Sequence, residues 1–286
     1  MKKLLPIAII LMLLLTACGD FAPEATVEPT VAAEYTYTGE TYPQIYAGAA
    51  AGELARAVTA IMLGLDREGA AELVSQSTSA AAWEALASAG GGLALAADTW
   101  DLPEGVDVAA VATDALVFYV SPDNPVDSLT LDELEEIFTG AETNWSAFGG
   151  PDAEIVIMGR EPGSGSVEAL KSLIGCDEGL VTDVRGHETS EGVIGFGFYY
   201  PCVKQGLAGG CKLLAVDGVL PAESAVASGE YALRVDYLVG VMSGAVEGSP
   251  ERTLWEWMQG AVGQAFISSQ GFFSPVSAAG DNEVTE

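Results

Sequence analysis

The sequence predicts an α/β protein, and three observations carry that expectation. From Tyr42 onward, short apolar runs of strand length alternate with amphipathic segments of helix length. Of the 286 residues, 49% are hydrophobic, with five Trp and nine Phe, which is ample for a core and too much for a disordered chain. The strand candidates are separated by helices of about ten residues, the spacing of crossover connections, which predicts largely parallel pairing. The length suits one large domain or two small lobes.

Taken in order, residues 1–17 read as an export signal. Lys2 and Lys3 precede an almost unbroken apolar run, Leu4 to Leu15, too short for a spanning helix of roughly 20 residues. The run ends in Leu15-Thr16-Ala17-Cys18-Gly19, which resembles the bacterial lipobox. That resemblance implies a diacylglyceryl thioether on Cys18, which becomes the mature N-terminus. Residues 18–41, with Asp20, Pro23, Glu24, Glu28, Pro29 and Glu34, lack either periodicity and read as the lipidated cysteine and a flexible acidic tether. Strands are expected at Gln44–Ala47, Gly92–Ala96, Ala115–Val120, Glu154–Met158, Gly195–Tyr200, Lys212–Val216 and Leu233–Val241. Helices are expected at Gly52–Leu65, Ser79–Ser88, Leu131–Phe138, Ser166–Ile174 and Arg252–Gln270. Thr130 with Glu133 forms a capping box, and Leu131, Leu134, Ile137 and Phe138 share one face ahead of Gly140. Leu254, Trp257, Met258, Val262 and Phe266 make an apolar stripe, read as core.

Charge excludes further classes. With 11 Lys+Arg against 41 Asp+Glu, the formal net charge is −30, so few cations exist to build the basic face that nucleic acid requires. A single His disfavours a Ser-His-Asp triad or a multi-His metal site, and His187, in Arg185-Gly186-His187-Glu188, is assigned to a turn. No metal or other cofactor is expected. Besides Cys18 there are Cys176, Cys202 and Cys211. The segment Val203–Gly210 is read as the loop of a hairpin, and in an exported protein a Cys202–Cys211 disulfide is the preferred pairing.

The chemistry concentrates in Gly159-Arg160-Glu161-Pro162-Gly163-Ser164-Gly165-Ser166, between a strand and a helix. Unpaired first-turn N–H groups and the helix dipole favour an anion there. Gly163 and Gly165 permit close backbone approach, Ser164 and Ser166 add hydroxyl donors, and the planar fork of Arg160 matches a tetrahedral oxyanion. The spacing is neither a Walker A loop nor a Gly-x-Ser-x-Gly elbow.

With these residues the chain resembles the phosphate-binding proteins of bacterial ABC phosphate importers, over roughly residues 42–276. The resemblance is carried by Ala112-Thr113-Asp114-Ala115-Leu116-Val117, Ser121-Pro122-Asp123-Asn124-Pro125-Val126, Leu129-Thr130-Leu131, Ile137-Phe138-Thr139-Gly140, Asn144-Trp145 and Gly149-Gly150. The Arg160–Ser166 stretch, Gly192-Val193-Ile194-Gly195-Phe196 and Leu214-Ala215-Val216-Asp217-Gly218-Val219 complete it. It implies a two-lobed, periplasmic-binding-protein-like fold, each lobe a mixed sheet flanked by helices with the ligand cleft between them. Lobe 1 is then 42–118 plus 213–278, lobe 2 is 119–212, and 279–286 is a tail. Site residues follow from the same resemblance. Arg160, Ser164, Gly165 and Ser166 match the second-lobe phosphate contacts. Asp98 lines up with a carboxylate that accepts the proton of hydrogen phosphate, and Thr78 and Ser79 with a hydroxyl-bearing helix start. Ala51 and Gly52 fall in the first anion loop, where Ala47-Gly48-Ala49-Ala50-Ala51-Gly52-Glu53 replaces the family's hydroxyl residues with alanine. The implied activity is capture of phosphate or a similar oxyanion by lobe closure and delivery to ABC permease subunits by a lipid-anchored monomer outside the cell membrane. No enzymatic activity is implied. A ligand-free sensory or interaction lipoprotein of the same fold, or a surface phosphohydrolase, are the alternatives.

Overall fold

The computed structural model describes residues 37–98, 102–176 and 190–275. The export signal, Cys18, His187, the tail 279–286 and residues 19–36 of the tether lie outside them. Tyr37 packs edge-on against Tyr42 at 5.4 Å and donates its hydroxyl to the Pro250 carbonyl.

The chain runs β1 (Ile45–Gly48), α1 (Gly52–Leu63), α2 (Arg67–Ala71), β2 (Val74–Ser77), α3 (Ser79–Ala89), β3 (Leu93–Ala97) and β4 (Val106–Val120). It continues with β5 (Ser128–Leu129), α4 (Leu131–Thr139), β6 (Val156–Ile157), α5 (Gly165–Leu173) and β7 (Val193–Phe198). β8 (Lys212–Leu213), β9 (Ala215–Val216), α6 (Glu223–Ser228), β10 (Arg234–Met242), α7 (Pro250–Gln259) and α8 (Ala261–Ser269) complete it.

The architecture is α/β, but the pairing is mixed. One sheet runs β2-β1-β3-β10-β4-β7-β6, with β8 also on β4, and a small parallel pair joins β5 to β9. β1 is parallel to β2 and β3, and β6 to β7. β10 and β4 run antiparallel to their neighbours. β4 organises the molecule. Its first part, Val106 to Ala115, pairs with β10, and its last part, Leu116 to Val120, pairs with β7. Sequence periodicity finds only that last part, because Asp107, Thr113 and Asp114 interrupt the apolar run. β7 and β8 lie on β4 rather than on each other, so the expected hairpin between them is not formed. The intervening chain coils instead as a single π-turn, Tyr200–Lys204.

The C-terminal stripe also needs correction. The expected long helix is broken at Gly260, whose backbone is extended (φ −72°, ψ 161°). Gly263 then crosses so close to α7 that a Cβ there would lie 2.0 Å from the Trp257 carbonyl oxygen. The break resets the helical phase. Leu254, Trp257, Met258 and Phe266 are buried, but Val262 is 50% exposed.

The capping expectations hold. Thr130 and Glu133 satisfy each other's backbone N–H groups, and Gly140 closes α4 in the left-handed conformation. The main core lies along β4, β7 and β10, and a smaller cluster forms around Trp83, Leu86, Ala94, Ala96 and Leu238. In that smaller cluster the Trp83 ring packs on β10 where Gly240 has no side chain, since a Cβ would stand 2.3 Å from Cζ3. Gly240→Ala is therefore expected to lower unfolding stability by about 1–3 kcal/mol through overpacking, measurable as a reduced urea midpoint with unchanged slope.

Candidate functional site

The anion residues are delivered by two turns at strand ends. β1 ends at Gly48 and leads into a 3-10 turn, Ala49–Ala51, that runs into α1. β6 ends at Ile157, and the loop Gly159–Ser164 leads into α5. Both place first-turn N–H groups, with their partial positive charge, at a sheet edge.

These turns bound a cavity of about 270 Å³ lined by Ala49, Ala50, Arg160, Glu161, Ser164, Gly165, Ser166, Gly197 and Phe198, with Pro201, Gln205 and Leu207 from the π-turn and the loop after it. All four residues expected from the second turn are on its wall. Arg160 is seated on β7: Nε and Nη2 donate to the Phe196 carbonyl at 3.0 and 2.9 Å, and Nη2 to the Tyr119 hydroxyl at 3.3 Å. Gly197 makes the seat possible, because a Cβ there would lie 2.7 Å from Nη2. Among the described residues Arg160 has no ion-pair partner, and its Nη1 donates to none of them. The guanidinium is therefore fixed in place while its charge is left for something else.

Ser164 is the N-cap of α5, yet its side chain makes no capping bond. Its Oγ is buried and without a partner. A serine at this position ordinarily accepts an N–H from the first turn, and an unmade bond of a buried hydroxyl costs about 1–3 kcal/mol. Ser166 is only 8% exposed and its hydroxyl also meets no partner among the described residues. Two serines, one with a buried and unpartnered hydroxyl, a fixed guanidinium and a helix N-terminus thus line one cavity.

The first-half residues are arranged differently from expectation. Thr78 accepts from the Ala81 N–H at 3.2 Å and so caps α3. Ser79 is 2% exposed, and its Oγ would meet a Cβ on either Gly48 or Gly165 at 2.8 Å. Ser79 therefore lies packed between Gly48 and Gly165 and is not part of the cavity lining. Ala51 is buried, and Gly52 is covered by the Gln76 side chain, 2.6 Å from where a Cβ would sit. Gln76 is held there by donating to the Ala49 carbonyl at 3.0 Å and by a hydrogen bond from Arg56. The loop's contribution to the wall is Ala49 and Ala50 instead.

Asp98 does not reach the cavity. Its N–H bonds the Asp236 carbonyl at 2.8 Å, which extends the β3–β10 ladder by one residue, and its side chain is exposed. Partial burial, and secondarily the charge of Asp236, raise its pKa. Nor does a bond join Cys202 to Cys211: Cys202 is a buried thiol, packed against Gly197 with its sulfur 4.0 Å from Arg160 Nη2. Burial pushes its pKa up to about 12 despite the neighbouring guanidinium.

Gln205 and Leu207 were not legible as site residues. They belong to the segment read as a hairpin loop, and only the π-turn brings them over the cavity.

The tight packing of Gly165 yields a prediction. A methyl there would also lie 3.1 Å from both Ala97 Cβ and Phe198 Cε2, so Gly165→Ala should push α5 off α3. The expected result in titration calorimetry is anion affinity weakened at least tenfold.

The chain is similar to known proteins over part of its length. Residues 105–245 match the family model of a PBP superfamily domain. The phosphate-binding protein PstS of Borreliella burgdorferi is 25% identical over 192 residues, covering 60% of this chain and 67% of that one. PstS of Bacillus subtilis is 33% identical over 143 residues, covering 45% of this chain and 46% of that one. The chain thus spans about two thirds of the first relative's length and under half of the second's. In structure it superposes, with a TM-score of 0.64 and 21% identity, on a phosphate ABC transporter substrate-binding protein of Clostridium perfringens, covering 81% of this chain and 98% of that one. Residues 105–245 are thus similar to a PBP superfamily domain, and the chain has the α/β fold of the substrate-binding protein on which it superposes.

Proposed function

We propose that this protein captures phosphate, or an oxyanion of the same shape, and delivers it to the permease subunits of an ABC importer. One observation carries the reading: a guanidinium fixed by a backbone carbonyl shares a cavity with the buried, unpartnered hydroxyl of Ser164 at a helix start. That donor set, rich in N–H and O–H groups and held in place, suits a tetrahedral anion. The printed names of the relatives, phosphate-binding protein in both cases, support the same ligand.

In this reading the chain is divided into lobe 1, 42–118 plus 213–278, and lobe 2, 119–212. The change of partners along β4 supports a boundary near residue 118. An anion bridging Ala49–Ala50 and Arg160–Ser166 touches both lobes and so favours the closed arrangement by its differential affinity. The protein acts as a monomer, held outside the cell membrane by a lipid on Cys18, and performs no turnover.

Titration calorimetry of the purified chain with phosphate, sulfate, molybdate and tungstate tests this. Binding of at least one oxyanion at micromolar concentration or below is expected. Absence of heat with every one of them would refute the reading.

A further inference from the structure

Resting on that reading, we propose that the side-chain amide of Gln205 is a further ligand contact, donating a hydrogen bond to the captured oxyanion from a segment that belongs to neither anion turn.

The backbone of Gln205 is held by buried groups. Its N–H closes the π-turn by donating to the Tyr200 carbonyl at 3.1 Å. That turn is fixed at its start, where the Tyr200 N–H bonds the Asp114 carboxylate at 3.1 Å and the Tyr200 ring stacks on Phe272 at 4.1 Å. It is fixed again at Cys202, which is buried and packed against Gly197. Beyond Gln205, Leu207 and Ala208 donate back to the Pro201 and Cys202 carbonyls at 3.0 and 3.1 Å, so the chain is tied down on both sides. Turns of the π type recur at functional sites, and this one brings Gln205 to a cavity wall whose other polar side chains come from Arg160–Ser166.

The amide has been left over by the fold. The neighbouring cation, Lys204, is drawn away to Glu223 at 2.6 Å and is not part of the lining. The other glutamines, Gln44, Gln76, Gln259, Gln264 and Gln270, each make side-chain hydrogen bonds within the protein. Gln205 makes none among the described residues, and it is exposed at the cavity. Ordering it on a ligand costs side-chain rotamer freedom alone, because its backbone is already placed. A hydrogen bond to a charged acceptor outweighs that cost. Ala49 and Ala50 bring no side-chain donor to the wall, so the amide adds one to those of Arg160, Ser164 and Ser166.

The test is calorimetric titration of the full chain and two variants with phosphate, sulfate, molybdate and tungstate at pH 7, read on the anion that binds tightest. Gln205→Met keeps the length and bulk of the side chain without its donor, and is expected to weaken binding at least about fivefold, the effect of losing one hydrogen bond to a charged group. Gln205→Lys restores a donor on a stem of similar length, and is expected to bind more tightly than Gln205→Met. Because the residue is exposed, the urea midpoints of both variants should match that of the unaltered protein. A smaller loss in Gln205→Met would show that the side chain merely covers the cavity, and overturns the proposal. So does a Gln205→Lys variant that binds no better than Gln205→Met, or a lowered midpoint that accounts for the loss through folding. None of these results touches the capture reading. An unaltered protein that gives no heat with any of the four anions refutes that reading, and this contact with it.

Discussion

Arg160→Gln abolishes oxyanion binding while the protein stays folded. Two of its nitrogens are spent on the Phe196 carbonyl, which holds the plane of the group, and the remaining donor and the charge are free for ligand. Glutamine retains part of the stem and one amide donor, so it can still cover β7, but it supplies neither charge nor fork. A hydrogen bond to a charged group contributes about 1.5–3 kcal/mol, and a bidentate pair more. Affinity should therefore fall by two orders of magnitude or more, whichever oxyanion is used. Calorimetry measures the loss and a urea titration measures the fold. Retained affinity would show that the guanidinium serves only to brace β7.

The second large effect lies at Asp114, away from the cavity wall. Its carboxylate is 1% exposed, at the point where β4 exchanges one set of partners for another. It accepts from the Ala115 N–H at 2.8 Å, the Tyr237 hydroxyl at 2.8 Å and the Tyr200 N–H at 3.1 Å. It thus ties β4 to β10 and to the π-turn beside the cavity. Burial raises its pKa to about 7, and the hydrogen bonds from Ala115, Tyr237 and Tyr199–Tyr200 pull only partly the other way. Tyr199, Tyr200, Tyr237 and Cys202 face it, with their own pKa values raised and their protons retained across neutral pH.

The sign follows from proton counting. Between the unfolded value of 3.8 and about 7, the folded state holds a proton that the unfolded chain has lost. Stability from this group therefore rises as pH falls from about 7 towards 4, by several kcal/mol in all, at about 1.4 kcal/mol per unit. Asp114→Asn should flatten that slope in urea midpoints taken from pH 5 to 8. Asp114→Ala removes the acceptor and strands buried donors, and should cost about 3 kcal/mol or more at every pH. An unaltered slope in the Asn variant would show that the carboxylate remains ionised in the fold.

Local signals in the sequence were strong where chemistry and geometry coincide within one segment. The capping box at Thr130, the helix start at Ser79, that of α5 to within one residue, and the Arg160–Ser166 turn each carry their reason in a few neighbouring residues. Failures came where a distant contact decides. Asp98 is exposed at the end of a ladder to β10, a partner well over a hundred residues away. Gly52 is closed off by Gln76, and the place of Ala49 and Ala50 on the wall follows from that. The first part of β4 hid behind Asp107, Thr113 and Asp114, whose partners Arg252, Asp236 and Tyr237 lie more than a hundred residues away. The single long C-terminal helix failed because Gly263 needs to approach α7, which no periodicity records. Cys202 packs beside a guanidinium and is not bonded to Cys211, in a segment that coils as a π-turn.

The most direct test of the central claim is a crystal structure of the protein grown in saturating phosphate. The account predicts tetrahedral density within hydrogen-bond distance of both Arg160 Nη1 and Ser164 Oγ, with Ala49 or Ala50 backbone on the opposite side. A cavity holding only water under those conditions, or an anion bound away from these two side chains, would contradict it.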